Sequence, residues 1–172
     1  MARVDCRRHG VLMNAVPAEV MSVLTAYITA ELTTVSQQGQ PVTVPVLPLW
    51  QSRHQRVMVT TGIGLPHKIY NIRRTPKVSV LYSDPTGSGL DGEPAVLIQG
   101  DATVSAVTSW DDELAEWYSV AWQKQTKGIG TDPITRKYMS WYYQRVKIHV
   151  VPQRIRWWPD GDMTTSPKVV KL

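Results

Sequence analysis

Between residues 17 and 29 the apolar positions follow a helical period. Val20, Val23, Leu24 and Tyr27 share one face, Pro17 suits the first turn, and Glu19 favours its positive end. The spacing then changes to alternation. Residues 32–36 and 41–50 (PVTVPVLPLW) read as strands joined by a turn centred on Gly39. Three prolines in the second remove ladder donors, which predicts a sheet edge or bulges there. A polar turn at 51–55 leads to a strand at 56–61. A short basic helix spans 65–75 and stops at Pro76, because the residue before a proline avoids the helical region. Strands follow at 78–82 and, after a loop at 84–94, at 95–107, where Gly100 marks a bulge.

Helical periodicity returns at 109–124 (SWDDELAEWYSVAWQK). Ser109 is the expected cap, Asp111, Asp112 and Glu113 occupy the positive end, and Lys124 and Lys127 precede Gly128. Trp110, Leu114, Trp117 and Ala121 form a stripe, which predicts core or interface packing. Another helix is predicted over 132–143, and a strand at 145–158, interrupted by Pro152, closes the domain. The pattern predicts a mainly β chain with peripheral helices (α+β): a small antiparallel, Greek-key-like barrel.

At 172 residues and 42% hydrophobic, the chain is long enough for one continuous core. The expected organisation is a flexible arm at 1–15, a single domain at 16–160 and a tail at 161–172. No apolar run approaches the roughly 18 residues of a membrane span. The start, MARVDCRRHG, has no following apolar stretch with a small-residue cleavage site, so the expected location is cytoplasmic. Cys6 is the sole cysteine, which excludes an internal disulfide. Cys6 and His9 are too few ligands for structural zinc, and no metal site is expected. Phe is absent while Trp and Tyr number seven each, so many rings need partners for an N–H or O–H.

Charge narrows the picture further. Residues 32–83 carry Arg53, Arg56, Lys68, Arg73, Arg74 and Lys77 and no acid, whereas the rest of the chain holds thirteen basic and fourteen acidic residues. Within that segment, Thr60 and Thr61 end a strand just before the helix that bears Lys68. Backbone N–H groups, a helix start and a lysine together suit an anion such as phosphate. A solvated basic face is the plainer reading.

Other chemistries fail on context. Gly87, Gly89 and Gly92 match G-x-G-x-x-G, but a strand follows where a dinucleotide site needs a helix. The four histidines lack metalloprotease spacing, and neither a G-x-S-x-G elbow nor a G-x-x-x-x-G-K-[ST] loop occurs. No catalytic side chain can be named, so the reactive group of an enzyme built on this chain would come from a cofactor. A sequence pI near 9.4 with many aromatics fits a nucleic-acid-binding barrel as an alternative. Against it, the aromatics concentrate in the C-terminal half and the cations in the middle.

Four segments carry a resemblance: G-Q-P-V-T-V-P-V at 39–46, V-M-V-T-T at 57–61, K-x-x-N-I-R-R-x-P-K-V-S-V-L at 68–81 and I-Q-G-D-A at 98–102. Together they resemble the pyridoxamine 5′-phosphate oxidase-like superfamily. Within it the chain is most similar to the flavin/deazaflavin-dependent oxidoreductases of FMN-binding-type split β-barrel fold. The likeness runs from the first helix to the closing strand, and K-x-x-N-[LI]-R-R-x-P is its most specific piece.

The resemblance implies a homodimer with two flavin-type sites at the subunit interface, and hydride transfer to or from a small organic substrate. It implies that Val44, Pro45, Val46 and Leu47 lie along the isoalloxazine ring and that Thr60, Thr61 and Lys68 hold the phosphate. Asn71 matches the motif and would orient the helix. Arg73 and Arg74 would meet a longer acidic tail, and Arg154, Trp157 or Trp158 would stand near the ring. Two departures matter. His67 occupies a position that is often basic, and RIRWWPDGD lacks the R-x-[HD] signature that grips pyridoxine phosphate. The resemblance implies FMN or a deazaflavin of the F420 type as the cofactor, with the substrate open. A cofactor-binding or regulatory protein without turnover is the remaining alternative.

Overall fold

The computed structural model describes residues 16–124 and 133–172. The arm at 1–15, with Cys6 and His9, and Lys127, Gly128 and Asp132 lie outside the described residues. The elements run α1 (Ala18–Ala26), β1 (Ala30–Val35), β2 (Pro41–Val46), β3 (Leu49–Gln51), β4 (Arg56–Gly62), α2 (His67–Arg74), β5 (Lys77–Tyr82), β6 (Ala95–Thr108), α3 (Asp112–Lys124), α4 (Pro133–Tyr138), β7 (Arg145–Trp158) and β8 (Lys168–Lys171). All strand pairings are antiparallel, in the order β2-β1-β5-β6-β7-β4-β3, with β8 paired to β7 off this path.

The stretch expected as one strand over 41–50 is two. β2 and β3 are consecutive in sequence yet stand at opposite ends of the sheet order, so Leu47 and Pro48 carry the chain from one edge to the other. Pro48 lacks the N–H that an uninterrupted ladder would need there. As the prolines predict, β2 is an edge strand, and most of its residues are exposed.

The strands alternate because one face packs inward. In β1 Ala30, Leu32 and Thr34 are buried, and in β5 Val78, Val80 and Tyr82. α1 buries Val20, Val23 and Leu24 on the same core, and full burial of each such side chain stabilises by about 1.5–3 kcal/mol. A second apolar cluster lies under α3, where Leu114, Trp117, Tyr118 and Ala121 pack against Leu49, Met58 and Tyr143.

β6 and β7 form the long central pair, and the register shifts between Gln99 and Gly100. A Cβ at Gly100 would stand 2.0 Å from the Val151 carbonyl oxygen, so only glycine lets the two backbones approach at this bulge.

Three expectations at the helices and the chain end need correction. Asp111, not Ser109, caps α3: its Oδ1 accepts from the Leu114 N–H at 2.9 Å, which starts the helix at Asp112. The helix expected over 132–143 is one short helix, α4, followed by turns in which Tyr142 N–H donates to the Met139 carbonyl. The segment read as a tail supplies β8, which pairs with the outer part of β7 from Arg154 to Trp157.

Candidate functional site

The ends of β2 and β4 open on a cavity of about 350 Å³. Pro45, Val46 and Leu47 line it from β2 and the crossing that follows, and Thr60, Thr61 and Gly62 line it from the end of β4. Leu65 and Lys68 come from the entry and first turn of α2. Trp117, Tyr142 and Arg145 complete the lining, Arg145 directly across the β4–β7 pairing from Gly62.

Local hydrogen bonds set the geometry at Lys68. The Leu65 N–H donates to the Gly62 carbonyl at 3.1 Å, and the Thr61 hydroxyl donates to the Leu65 carbonyl at 3.2 Å, which closes the turn from β4 into α2. Thr61 is 2% exposed and accepts from Lys68 Nζ at 2.8 Å. Its single proton is engaged in the turn, so Thr61 aims the ammonium. The Thr60 hydroxyl oxygen is buried and has no hydrogen-bond partner among the described residues, and Thr60 lines the cavity wall.

The cavity is cationic. Its lining holds Lys68 and Arg145 and no carboxylate. Burial first, and then the charge of Arg145, lower the Lys68 pKa below the ordinary lysine value. Arg145 is held by aromatic rings: its guanidinium carbon lies 4.7 Å from the Tyr142 ring centroid, 5.5 Å from Trp117 and 5.8 Å from Tyr118. Its Nε donates to the Tyr118 hydroxyl at 3.2 Å. Trp117 Nε1 donates to the Leu47 carbonyl at 2.9 Å, pinning α3 to the β2–β3 crossing and occupying that carbonyl.

Of the residues expected from the sequence, Pro45, Val46, Leu47, Thr60, Thr61 and Lys68 therefore meet at one cavity. The others do not line it. Val44 is half-buried against the main core. Asn71 Nδ2 donates to Thr34 Oγ1 at 3.0 Å and so ties α2 to β1. Arg74 is exposed and donates to Asn71 Oδ1 at 3.0 Å. Trp158 Nε1 donates to the Thr165 carbonyl, Trp157 Nε1 to Glu19 Oε2, and Arg154 lines a separate cavity with Lys77 and Lys171.

The basic segment is likewise divided. Arg56 pairs with Glu113 at 2.6 Å and Lys77 with Asp101 at 2.7 Å, so only Lys68 of the six cations reaches the cavity. Arg145, Trp117 and Tyr142 are the additions. Trp117 was visible in the apolar stripe of α3, but Arg145 lies outside the basic segment and its strand-start position carries no signal of its own.

No family model and no curated protein matches the sequence. Solved structures do. An F420 reductase superposes with a TM-score of 0.58 over 81% of this chain and 98% of its own, at 20% identity. A protein from Clostridium acetobutylicum related to general stress protein 26, of the pyridoxinephosphate oxidase family, gives 0.57 over 90% and 92%, at 8% identity. The chain has the split β-barrel fold of the pyridoxamine 5′-phosphate oxidase-like proteins. A heme binding protein from Mycobacterium smegmatis shares this fold, with a TM-score of 0.58 over 91% of this chain at 16% identity, and the chain spans 59% of its length. In this split barrel the cavity sits where the β2 edge, the end of β4 and the start of α2 converge.

Proposed function

We propose that this protein is an oxidoreductase that binds a flavin-type cofactor, FMN or a deazaflavin of the F420 type, in the cavity between β2, β4 and α2. The observation that carries the reading is the donor set. Lys68 and Arg145 face a cavity that no carboxylate lines among the described residues, beside a buried Thr60 hydroxyl with no partner among them. Two cations and a free donor in a partly desolvated wall fit a phosphate group. The β2 edge and the apolar side chains of Pro45, Val46 and Leu65 provide a surface suited to a flat ring, and a volume of about 350 Å³ is within the range of small-molecule sites.

When bound, the cofactor would supply hydride chemistry, which no side chain of the cavity can perform. The chain's own residues would do the rest. Lys68, aimed by Thr61, and Arg145, seated on its three rings, would hold the phosphate, while Trp117 and Tyr142 would shield that side from water. The edge position of β2 supports a second copy covering the site, in a homodimer.

The test is titration of the purified protein with FMN and with F420, followed by absorbance and by native mass spectrometry. Micromolar binding of one of them to a dimer is expected. Failure of both to bind at that level would remove the oxidoreductase reading.

A further inference from the structure

Large apolar side chains exposed one at a time are ordinary on a protein surface. Two segments of this chain expose them in groups. The turn from β4 into α2 exposes Ile63 and Leu65, and α4 with the turn after it exposes Ile134, Tyr138 and Trp141. The two segments meet at the cavity. Leu65 and Tyr142 both line it, and the Trp141 ring stands perpendicular to that of Tyr142 with centroids 6.1 Å apart.

This exposure is not a failure to pack. Met139, Tyr142 and Tyr143 of the second segment already pack on the cluster under α3. Successive turns fix the backbone there: the Tyr142 N–H donates to the Met139 carbonyl, Tyr143 to Ser140 and Gln144 to Trp141. With that side anchored, Tyr138 and Trp141 project outward, 76% and 61% exposed. Of the tryptophans among the described residues, only Trp141 stands so far into solvent.

Charge decides what covers this surface. Residues 61–68 and 133–145 carry Lys68, Lys137 and Arg145 and no aspartate or glutamate. Lys137 is exposed beside Tyr138. The carboxylates of Asp111 and Glu113 are engaged elsewhere, Asp111 by Lys147 and Glu113 by Lys147 and Arg56. A two-fold contact between copies is isologous, so it would set this acid-free patch against its own cations. An anionic bilayer surface supplies the missing charge instead. Its headgroup region also suits rings with an apolar body and a polar tip, as Trp and Tyr have.

We propose that Ile63, Leu65, Ile134, Tyr138 and Trp141, with Lys137 beside them, form a docking surface for an anionic lipid bilayer. The rings would sit at headgroup depth and the lysine against the lipid charge. The inference rests on this surface alone and not on what the cavity holds.

The test is sedimentation of the full chain with phosphatidylcholine vesicles, with and without about 30% phosphatidylglycerol. Wild type should bind the anionic vesicles at least about tenfold better than the zwitterionic ones. Lys137→Glu should weaken that binding about fivefold or more, the factor that one cation near such a surface contributes. The double variant Tyr138→Ser with Trp141→Ser should weaken it about tenfold or more. Val169→Ser, which alters an exposed valine on β8 at the other end of β7, should bind as wild type does. Anionic vesicles with brominated acyl chains should quench part of the wild-type tryptophan emission, a readout that needs no variant. Equal binding to the two vesicle types, absence of quenching, or full binding by the folded double variant would overturn the proposal. A fall in oligomer mass in that variant would assign the patch to a second copy and overturn it as well.

Discussion

Asn71 on α2 and Thr34 on β1 are joined side chain to side chain, Nδ2 to Oγ1 at 3.0 Å. Thr34 is 2% exposed, so the bond is anchored in the core, and it sits one turn beyond Lys68 on the same helix. Replacing Asn71 with alanine should therefore destabilise the fold by about 1–2 kcal/mol, the cost of losing one partner of a part-buried hydrogen bond. Urea unfolding of the variant reads this directly as a lowered midpoint. Because Asn71 does not line the cavity, the loss of ligand affinity should be smaller than that from changing Lys68.

Lys68→Ala should weaken FMN binding by roughly 1.5–3 kcal/mol, the scale of a charge-assisted hydrogen bond to phosphate. Riboflavin, which lacks the phosphate, should bind the variant and the wild type alike. Fluorescence titration compares the two, and an unchanged FMN affinity would remove Lys68 from the site.

Glu113 joins α3 to β4 and β7 through Arg56 and Lys147, and Gln51 Nε2 also donates to it at 3.0 Å. Burial opposes its charge, but the bonds from Lys147 and Gln51 prevail and hold the carboxyl at about 2. A folded value below the unfolded one means that this stability is fully present above the ordinary glutamate range and is lost as pH falls towards 2. His149, lowered mainly by burial and then by Arg56, adds a loss of the same sign as pH falls below the ordinary histidine value. Glu113→Gln should flatten the acid limb of a stability-versus-pH curve between about pH 4.5 and 2. It should also cost roughly 2–4 kcal/mol at pH 7, because Lys147, 8% exposed, loses one of its two carboxylates.

Gly100→Ala places a methyl group against the Val151 carbonyl oxygen, 2.0 Å from its ideal position. Backbone atoms cannot yield as a flexible side chain can. We expect a loss of about 3 kcal/mol or more from strain in the central β6–β7 pair, read as a fall in the thermal midpoint. A midpoint within error of wild type would show that the bulge relaxes at little cost.

Periodicity, prolines and glycines were sufficient to read most elements from the chain alone, because those signals are local. The face of α1, the edge character of β2, the stop of α2 at Pro76 and the bulge at Gly100 each follow from residues within a few positions. The same locality let the sequence bring Thr60, Thr61 and Lys68 to one cavity, since a strand end, a turn and a helix start lie within nine residues of sequence. Tertiary structure decided what depends on distant partners. It split residues 41–50 across the two ends of the sheet, paired 168–171 with β7 and spent Arg56 and Lys77 on Glu113 and Asp101. It also brought Arg145 to the cavity, a position set by antiparallel pairing with Gly62 across more than eighty residues of chain. Charge neutralisation is a matter of who stands opposite whom, and only the folded sheet determines that.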